Sequence, residues 1–166
     1  MIIEGLKEAF RLLVTFDAEI YSIIFLSLMI SLLATLTGGV IGIISGILIS
    51  ISHFPFKRTV KKVIFTFMGT PPVVLGLFVL LFLAGPLANA NLLFTRTAMY
   101  LAQTLLVFPI VTGNIIIMSE KTQLEILNTA TTLGAKRMDK VWLLLRETSP
   151  FILLSLILGF SRAISE

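Results

Sequence analysis

Residues 20–52 read IYSIIFLSLMISLLATLTGGVIGIISGILISIS, thirty-three consecutive positions without a charge. A bilayer core of ~30 Å needs only about 20 apolar residues in a helix, so this run is long enough to tilt or to project beyond the lipid. It is too long for the core of a signal peptide, and the segment before it is net acidic rather than basic. Three further apolar stretches follow, at residues 63–85, 98–118 and 151–166. The last is still apolar where the sequence stops at Glu166, with no turn signal, which raises the expectation of a truncated chain or a fragment. The composition agrees with four spans. Of 166 residues, 57% are apolar and 13% charged, with a mean hydropathy of +1.03. A soluble domain carries roughly 45–50% apolar and about 25% charged residues, so a soluble globular enzyme is excluded. Disordered chains and fibrous repeats are excluded with it, because they need low hydrophobicity or strict periodicity. The expected fold is all-α, a polytopic helical membrane protein.

The positive charges sort by loop. Lys57, Arg58, Lys61 and Lys62 crowd the connection between the first two stretches, and Lys121, Lys136, Arg137, Lys140 and Arg146 lie between the third and fourth. Only Arg96 falls in the loop between the second and third. Nine of the thirteen basic residues therefore share one side, which the positive-inside rule makes cytoplasmic. The N-terminal segment 1–19, with Glu4, Glu8, Asp17 and Glu19 against Lys7 and Arg11, is then outside. Ile2, Leu6, Phe10 and Leu13 recur there at helical spacing. That pattern fits an amphipathic helix on the outer interface, and equally a plain lead-in to the first span. The net charge of +4 is explained by topology and gives no reason to expect nucleic acid.

No cysteine and a single histidine exclude a thiolate or multi-histidine metal site and a disulfide scaffold. The polar and small residues inside the spans carry the remaining information. Gly38, Gly42 and Gly46 form a doubled small-xxx-small pattern, which mostly serves close helix packing. In the second span, Gly69-Thr70-Pro71-Pro72 removes two backbone donors and disfavours helix at the residue before each proline. A broken helix at this depth either shapes packing or marks a translocation path. Gln103 and Asn114 lie eleven apart on one face of the third span, as interhelical glue or as a lining. In the fourth, Ser155, Gly159, Arg162 and Glu166 follow at i, i+4, i+7 and i+11, one small-and-polar stripe. Arg162 would lie ~17 Å into that span. A charge there needs a partner or water, and Glu166 is the nearest candidate. The stripe is either a structural ion pair or the lining of a path suited to an anion.

The connection at residues 119–149 is long for an inter-span loop and dense in helix signals. Asn128 or Thr129 could cap a short helix that stops at Gly134. The segment 135–146 is amphipathic, with Met138, Val141, Trp142 and Leu145 on one side and Lys136, Arg137, Asp139 and Lys140 on the other. A helix–Gly–helix of this kind docks a partner or lies on the membrane surface.

These residues resemble a known family. The run Asn128-Thr129-Ala130-x3-Gly134 is similar to the Glu-Ala-Ala-x3-Gly loop in the permease subunits of bacterial and archaeal ABC importers, and Thr132-Leu133-Gly134-Ala135 resembles its most constant part. Asn128 and Thr129 depart from that pattern. Leu145-Arg146-Glu147 departs from the usual Leu-Pro and is similar to the tungstate-type variant. GTPPVVL at 69–75, LFTRTAMYLAQ at 93–103 and GFSRAISE at 159–166 look like the same subfamily in the same order. The resemblance runs from about residue 20 to the end, and family members continue past GFSRAISE through at least one more span.

The resemblance implies a type I importer permease in the cell inner membrane, moving tungstate or molybdate by alternating access. It implies a separate cytoplasmic ATPase docking on a coupling helix over Thr129, Ala130, Thr132, Leu133, Gly134, Ala135, Lys136 and Arg137. It also implies an extracytoplasmic substrate-binding protein and pairing of two permease copies. The chain has no G-x-x-x-x-G-K-[ST] phosphate loop, so ATP would be hydrolysed elsewhere, and no cofactor is expected. The pathway residues are then Thr70, Pro71, Pro72, Ser155, Arg162 and Glu166. The competing reading, an ATP-independent channel or secondary carrier, draws on the same broken span and charged stripe. A third is a non-functional truncated permease.

Overall fold

The computed structural model describes Gly5, Thr15 and residues 17–52, 54–122, 132–134 and 136–166. Most of the segment 1–19, where the amphipathic periodicity lies, is outside the described residues, as are Asn128, Thr129, Ala130 and Ala135. Among the described residues there is helix and no strand. Helix α1 spans Ala18–Ile51, α2 Lys57–Gly69, α3 Pro72–Ala84, α4 Arg96–Thr122 and α5 Arg137–Ile164, with a single 3-10 turn at Ala88–Ala90. Three of these are long and apolar enough to cross a membrane, or four if α2 and α3 form one bent span.

Each boundary has a local cause. The Asp17 carboxylate accepts from the Glu19 and Ile20 amides and starts α1, satisfying donors that a helix N-terminus leaves unpaired. At the other end of α1, the Lys57 ammonium donates to the Ser50 carbonyl at 2.7 Å, so the first residue of α2 closes the last turn of α1. Pro71 and Pro72 stop α2, and the chain bends by 106° before α3 resumes. At the start of α5, the Lys136 amide donates to the Asp139 carboxylate at 2.8 Å.

Helix α4 is the centre of the bundle; α1, α2, α3 and α5 all pack on it. Its Val107, Val111 and Ile115 are fully buried and form the core with Ile47 of α1 and Ala163 of α5. The glycines of α1 set that contact. A Cβ on Gly38 would meet the Thr104 carbonyl oxygen at 3.0 Å, one on Gly42 the Val111 Cβ at 3.0 Å, and one on Gly46 the Ile115 Cβ at 2.8 Å. Small residues at every turn let the two backbones approach, as the spacing predicts. Both numberings rise together along this seam, so α1 and α4 run parallel. The α2–α3 segment must therefore return the chain to the side from which α1 began, despite its bend.

Helix α5 runs antiparallel to α4. Gln103 donates to the Ala163 carbonyl at 3.3 Å, and a Cβ on Gly159 would lie 3.0 Å from Val107 Cγ1. Gly39 abuts Leu156, which closes the three-helix core. The large apolar residues on the outer faces, such as Phe25 and Leu32 of α1 and Leu153 of α5, are exposed, as lipid-facing positions are.

Two details differ from the sequence expectation. The basic residues Lys57–Lys62 are helical rather than loop: the helix packs one face on α4, leaves Arg58 and Lys62 exposed, and turns Lys57 and Lys61 to partners on α1 and α4. Residues 137–164 form one continuous helix rather than a surface helix followed by a separate span. Pro150 sits inside it without ending it.

Candidate functional site

Two regions gather the residues singled out in the sequence. The first is a cleft of about 270 Å³ between the start of α3 and the first turns of α4. Pro72, Val73, Leu75 and Gly76 form one wall, Met99, Ala102, Gln103 and Leu106 another, and Glu166 closes it. Its lining is apolar except for Gln103 and Glu166. The proline break creates the first wall: with no helical continuation through Thr70–Pro71, α3 departs from the line of α2 and leaves space against α4.

Of the predicted pathway residues, Pro72 and Glu166 line this cleft; Thr70, Pro71, Ser155 and Arg162 do not. Thr70 donates its hydroxyl to the Thr66 carbonyl at 2.8 Å, spending it on the last turn of α2. Ser155 is buried and donates to the Phe151 carbonyl at 2.7 Å, so its hydroxyl is also occupied by its own helix. The expected Arg162–Glu166 pair does not form among the described residues. Glu166 lines the cleft instead. The Arg162 Nε is buried and has no hydrogen-bond partner. Gln103, weighed in the sequence as glue or lining, is both: its Nε2 holds the Ala163 carbonyl while its Oε1 is buried and unpaired.

More unpaired polar atoms lie nearby in register. Ser31 Oγ and Thr35 Oγ1 of α1 are buried without a hydrogen bond, one to two turns before Gly38, which meets Thr104. Tyr100 donates to Thr37 at 2.9 Å, so this level of the bundle carries polar groups on all three core helices. Arg162 directly precedes Ala163 and lies at the same level.

The second region is the connection between α4 and α5. Thr132, Leu133 and Gly134 are exposed, Leu133 to 82%. Gly134 adopts φ +80 with open space around it, a left-handed conformation that glycine takes at no steric cost. Beyond it, Met138 and Trp142 are exposed, to 76% and 62%, while Val141 packs on the core. The apolar side expected for this segment is thus split between the bundle and an outward face. The Arg146 guanidinium lies over the Trp142 ring, 5.5 Å from its centroid, which holds the indole in place. Lys136 is exposed, and the backbone of Arg137 opens α5.

One further contact had no sequence signal. Lys61 of α2 forms an ion pair with Glu120 of α4, 59 residues away. Among the described residues no group of three or more histidine, aspartate or glutamate side chains could hold a metal ion.

A proline-broken segment returning between parallel helices, a central helix touching every other, and an exposed Gly-turn before the last helix define a polytopic helical membrane protein. The chain belongs to the family described as the binding-protein-dependent transport system inner membrane component, which matches residues 38–166. It is 41% identical to the tungstate uptake system permease protein of Peptoclostridium acidaminophilum, over 99% of this chain and 73% of that one. It is 35% identical to a probable anion ABC transporter permease protein of Haloferax volcanii, over 87% of this chain and 63% of the relative. A tungstate uptake system permease protein of Campylobacter jejuni is 31% identical over 66% of this chain and 47% of its own length. No solved structure matches the chain. The chain is accordingly a membrane-embedded permease component of an ABC-type uptake system, not an enzyme.

Proposed function

We propose that this chain is the permease subunit of an importer that carries a tungstate-type oxyanion into the cytoplasm by alternating access. A cytoplasmic ATPase drives it, and an extracytoplasmic binding protein supplies the substrate. Two permease copies pair around one pathway, with the N-terminus outside and the basic loops inside. The observation that carries this reading is the continuity of α5. One helix of 28 residues runs from Arg137, beside the exposed Leu133–Gly134 turn, to Arg162 and Ile164. A displacement imposed on the turn by a docked ATPase is delivered along a rigid rod to the level of Arg162. The relatives from Peptoclostridium acidaminophilum, a tungstate uptake permease, and Haloferax volcanii, a probable anion permease, support an anionic substrate.

Each group has a role in this scheme. Leu133, Met138 and Trp142 offer an apolar strip with Lys136 beside it, the composition of a docking face. Thr129, Ala130, Thr132, Gly134, Ala135 and Arg137 complete the coupling segment. Arg162 supplies positive potential to an oxyanion on the path, acting through field rather than bond-making. Thr70, Pro71 and Pro72 keep the second span broken so that a wall of the path can tilt, Glu166 lines the cleft behind that wall, and Ser155, buried on α5, supports the helix that carries Arg162.

The test is substrate-stimulated hydrolysis in proteoliposomes holding this permease, its ATPase and its binding protein. Hydrolysis that rises with tungstate-loaded binding protein and not with sulfate-loaded protein is the expected result. Ion flux that needs no ATP, with no ATPase co-purifying, would instead establish a channel or secondary carrier.

A further inference from the structure

Helix α2 is tied to the rest of the bundle at both ends. In its first turn Lys57 donates to the Ser50 carbonyl of α1 at 2.7 Å. One turn later Lys61 pairs with Glu120, near the C-terminal end of α4. Toward its far end α2 is pressed against α4 again: a Cβ on Gly113 would meet Met68 Sδ at 2.8 Å and Phe65 Cδ1 at 3.5 Å. The helix thus lies antiparallel along α4 from Glu120 to Gly113. One residue beyond Met68 it ends, and the 106° break leads into Pro72 and the cleft.

Stability does not explain the ion pair well. The Lys61 side chain is 17% exposed and Glu120 is 49% exposed, and a pair open to water on one side adds little to folding. Its position is more telling. Glu120 is three residues from the point where the connection toward the Gly134 turn begins, so it sits where force from a docked partner would enter α4. Lys61 is on the helix whose other end sets the proline break. Coupling between distant sites runs through rigid elements joined by contacts that bias both ends, and α2 with this ion pair meets that description.

We propose that Lys61 and Glu120 are positioning residues for energy coupling: their ion pair makes α2 follow the coupling end of α4 and so moves the Thr70–Pro72 break that walls the cleft. This rests on the importer reading above. It adds a second transmission line, through α2, to the one along α5. Neither side chain touches the substrate.

The experiment uses the complete transporter in proteoliposomes and reads tungstate imported per ATP hydrolysed, with tungstate-loaded binding protein. Lys61→Glu and Glu120→Lys each lower that ratio by about fivefold or more, the lower range of site-to-site coupling, while hydrolysis itself persists. The exchanged pair, Lys61→Glu with Glu120→Lys, restores the ratio to within about twofold of the parent, the scatter expected of independent sites. Lys61→Gln and Glu120→Gln are scored in the same way if a reversed charge prevents accumulation in the membrane. Single variants that keep the parental ratio overturn the inference, and so does an exchanged pair as impaired as the singles. Loss of hydrolysis and transport in parallel also overturns it, because that pattern signals failed docking. A parent complex whose hydrolysis ignores the loaded binding protein removes the importer reading, and this inference with it.

Discussion

Gly46 of α1 and Ile115 of α4 stand so close that a methyl carbon on Gly46 would lie 2.8 Å from the Ile115 Cβ. Both are buried, and the Thr112 carbonyl oxygen, at 3.1 Å from the same point, blocks retreat in another direction. Gly46→Ala is therefore expected to destabilise the bundle, by about 1–3 kcal/mol as for other overpacked cores. Thermal unfolding of the detergent-solubilised protein measures it. Gly76→Ala in α3, where nothing lies within 4 Å, is the control and leaves the midpoint unchanged or raises it. Equal behaviour of the two variants would contradict the α1–α4 seam.

The break between α2 and α3 depends on two rings. Replacing both Pro71 and Pro72 by alanine restores two backbone donors and lifts the restriction on the preceding residues, so α2 is expected to continue into α3. Spin labels at positions 62 and 81 report the change as a longer separation than in the bent parent. Transport falls with it. A separation that stays at the parental value would show that packing on α4, rather than proline, holds the bend.

Gly134 takes φ +80 on an exposed turn. A side chain there costs about 1–2 kcal/mol of left-handed strain, which a peripheral turn relieves by changing shape rather than by unfolding the bundle. Gly134→Asp is expected to abolish transport while the protein remains in the membrane. Quantifying membrane-resident protein beside uptake separates this from a folding defect, which would deplete both.

Arg162 holds a buried Nε with no partner, and its expected ion pair with Glu166 is absent among the described residues. Arg162→Ala removes the positive field from this level and is expected to lower tungstate uptake at least tenfold, roughly the effect of 1.4 kcal/mol. Glu166→Gln, by contrast, is expected to change uptake less, because Glu166 faces the cleft and does not orient the guanidinium. Uptake by Arg162→Ala at the parental rate would take Arg162 off the pathway.

The amino-acid sequence by itself determined the class and much of the plan. Apolar runs that exceed the bilayer thickness leave a chain no soluble alternative, and Gly38, Gly42 and Gly46 at four-residue spacing already specify a face for close approach. The Gly69–Pro72 motif specifies a broken span, and Gly134 specifies a turn. These are local facts, written in residue type and spacing. Tertiary structure decided which groups meet. Lys61 and Glu120 have no sequence relationship across 59 residues. Gln103 gained two roles only because Ala163 lies opposite it and α3 leaves a cleft beside it. The Arg162–Glu166 pairing suggested by helical periodicity does not form, and Glu166 lines the cleft with Pro72 and Gln103 instead. Periodicity says which residues share a face of a helix; what stands across from each of them is set by packing against the rest of the chain.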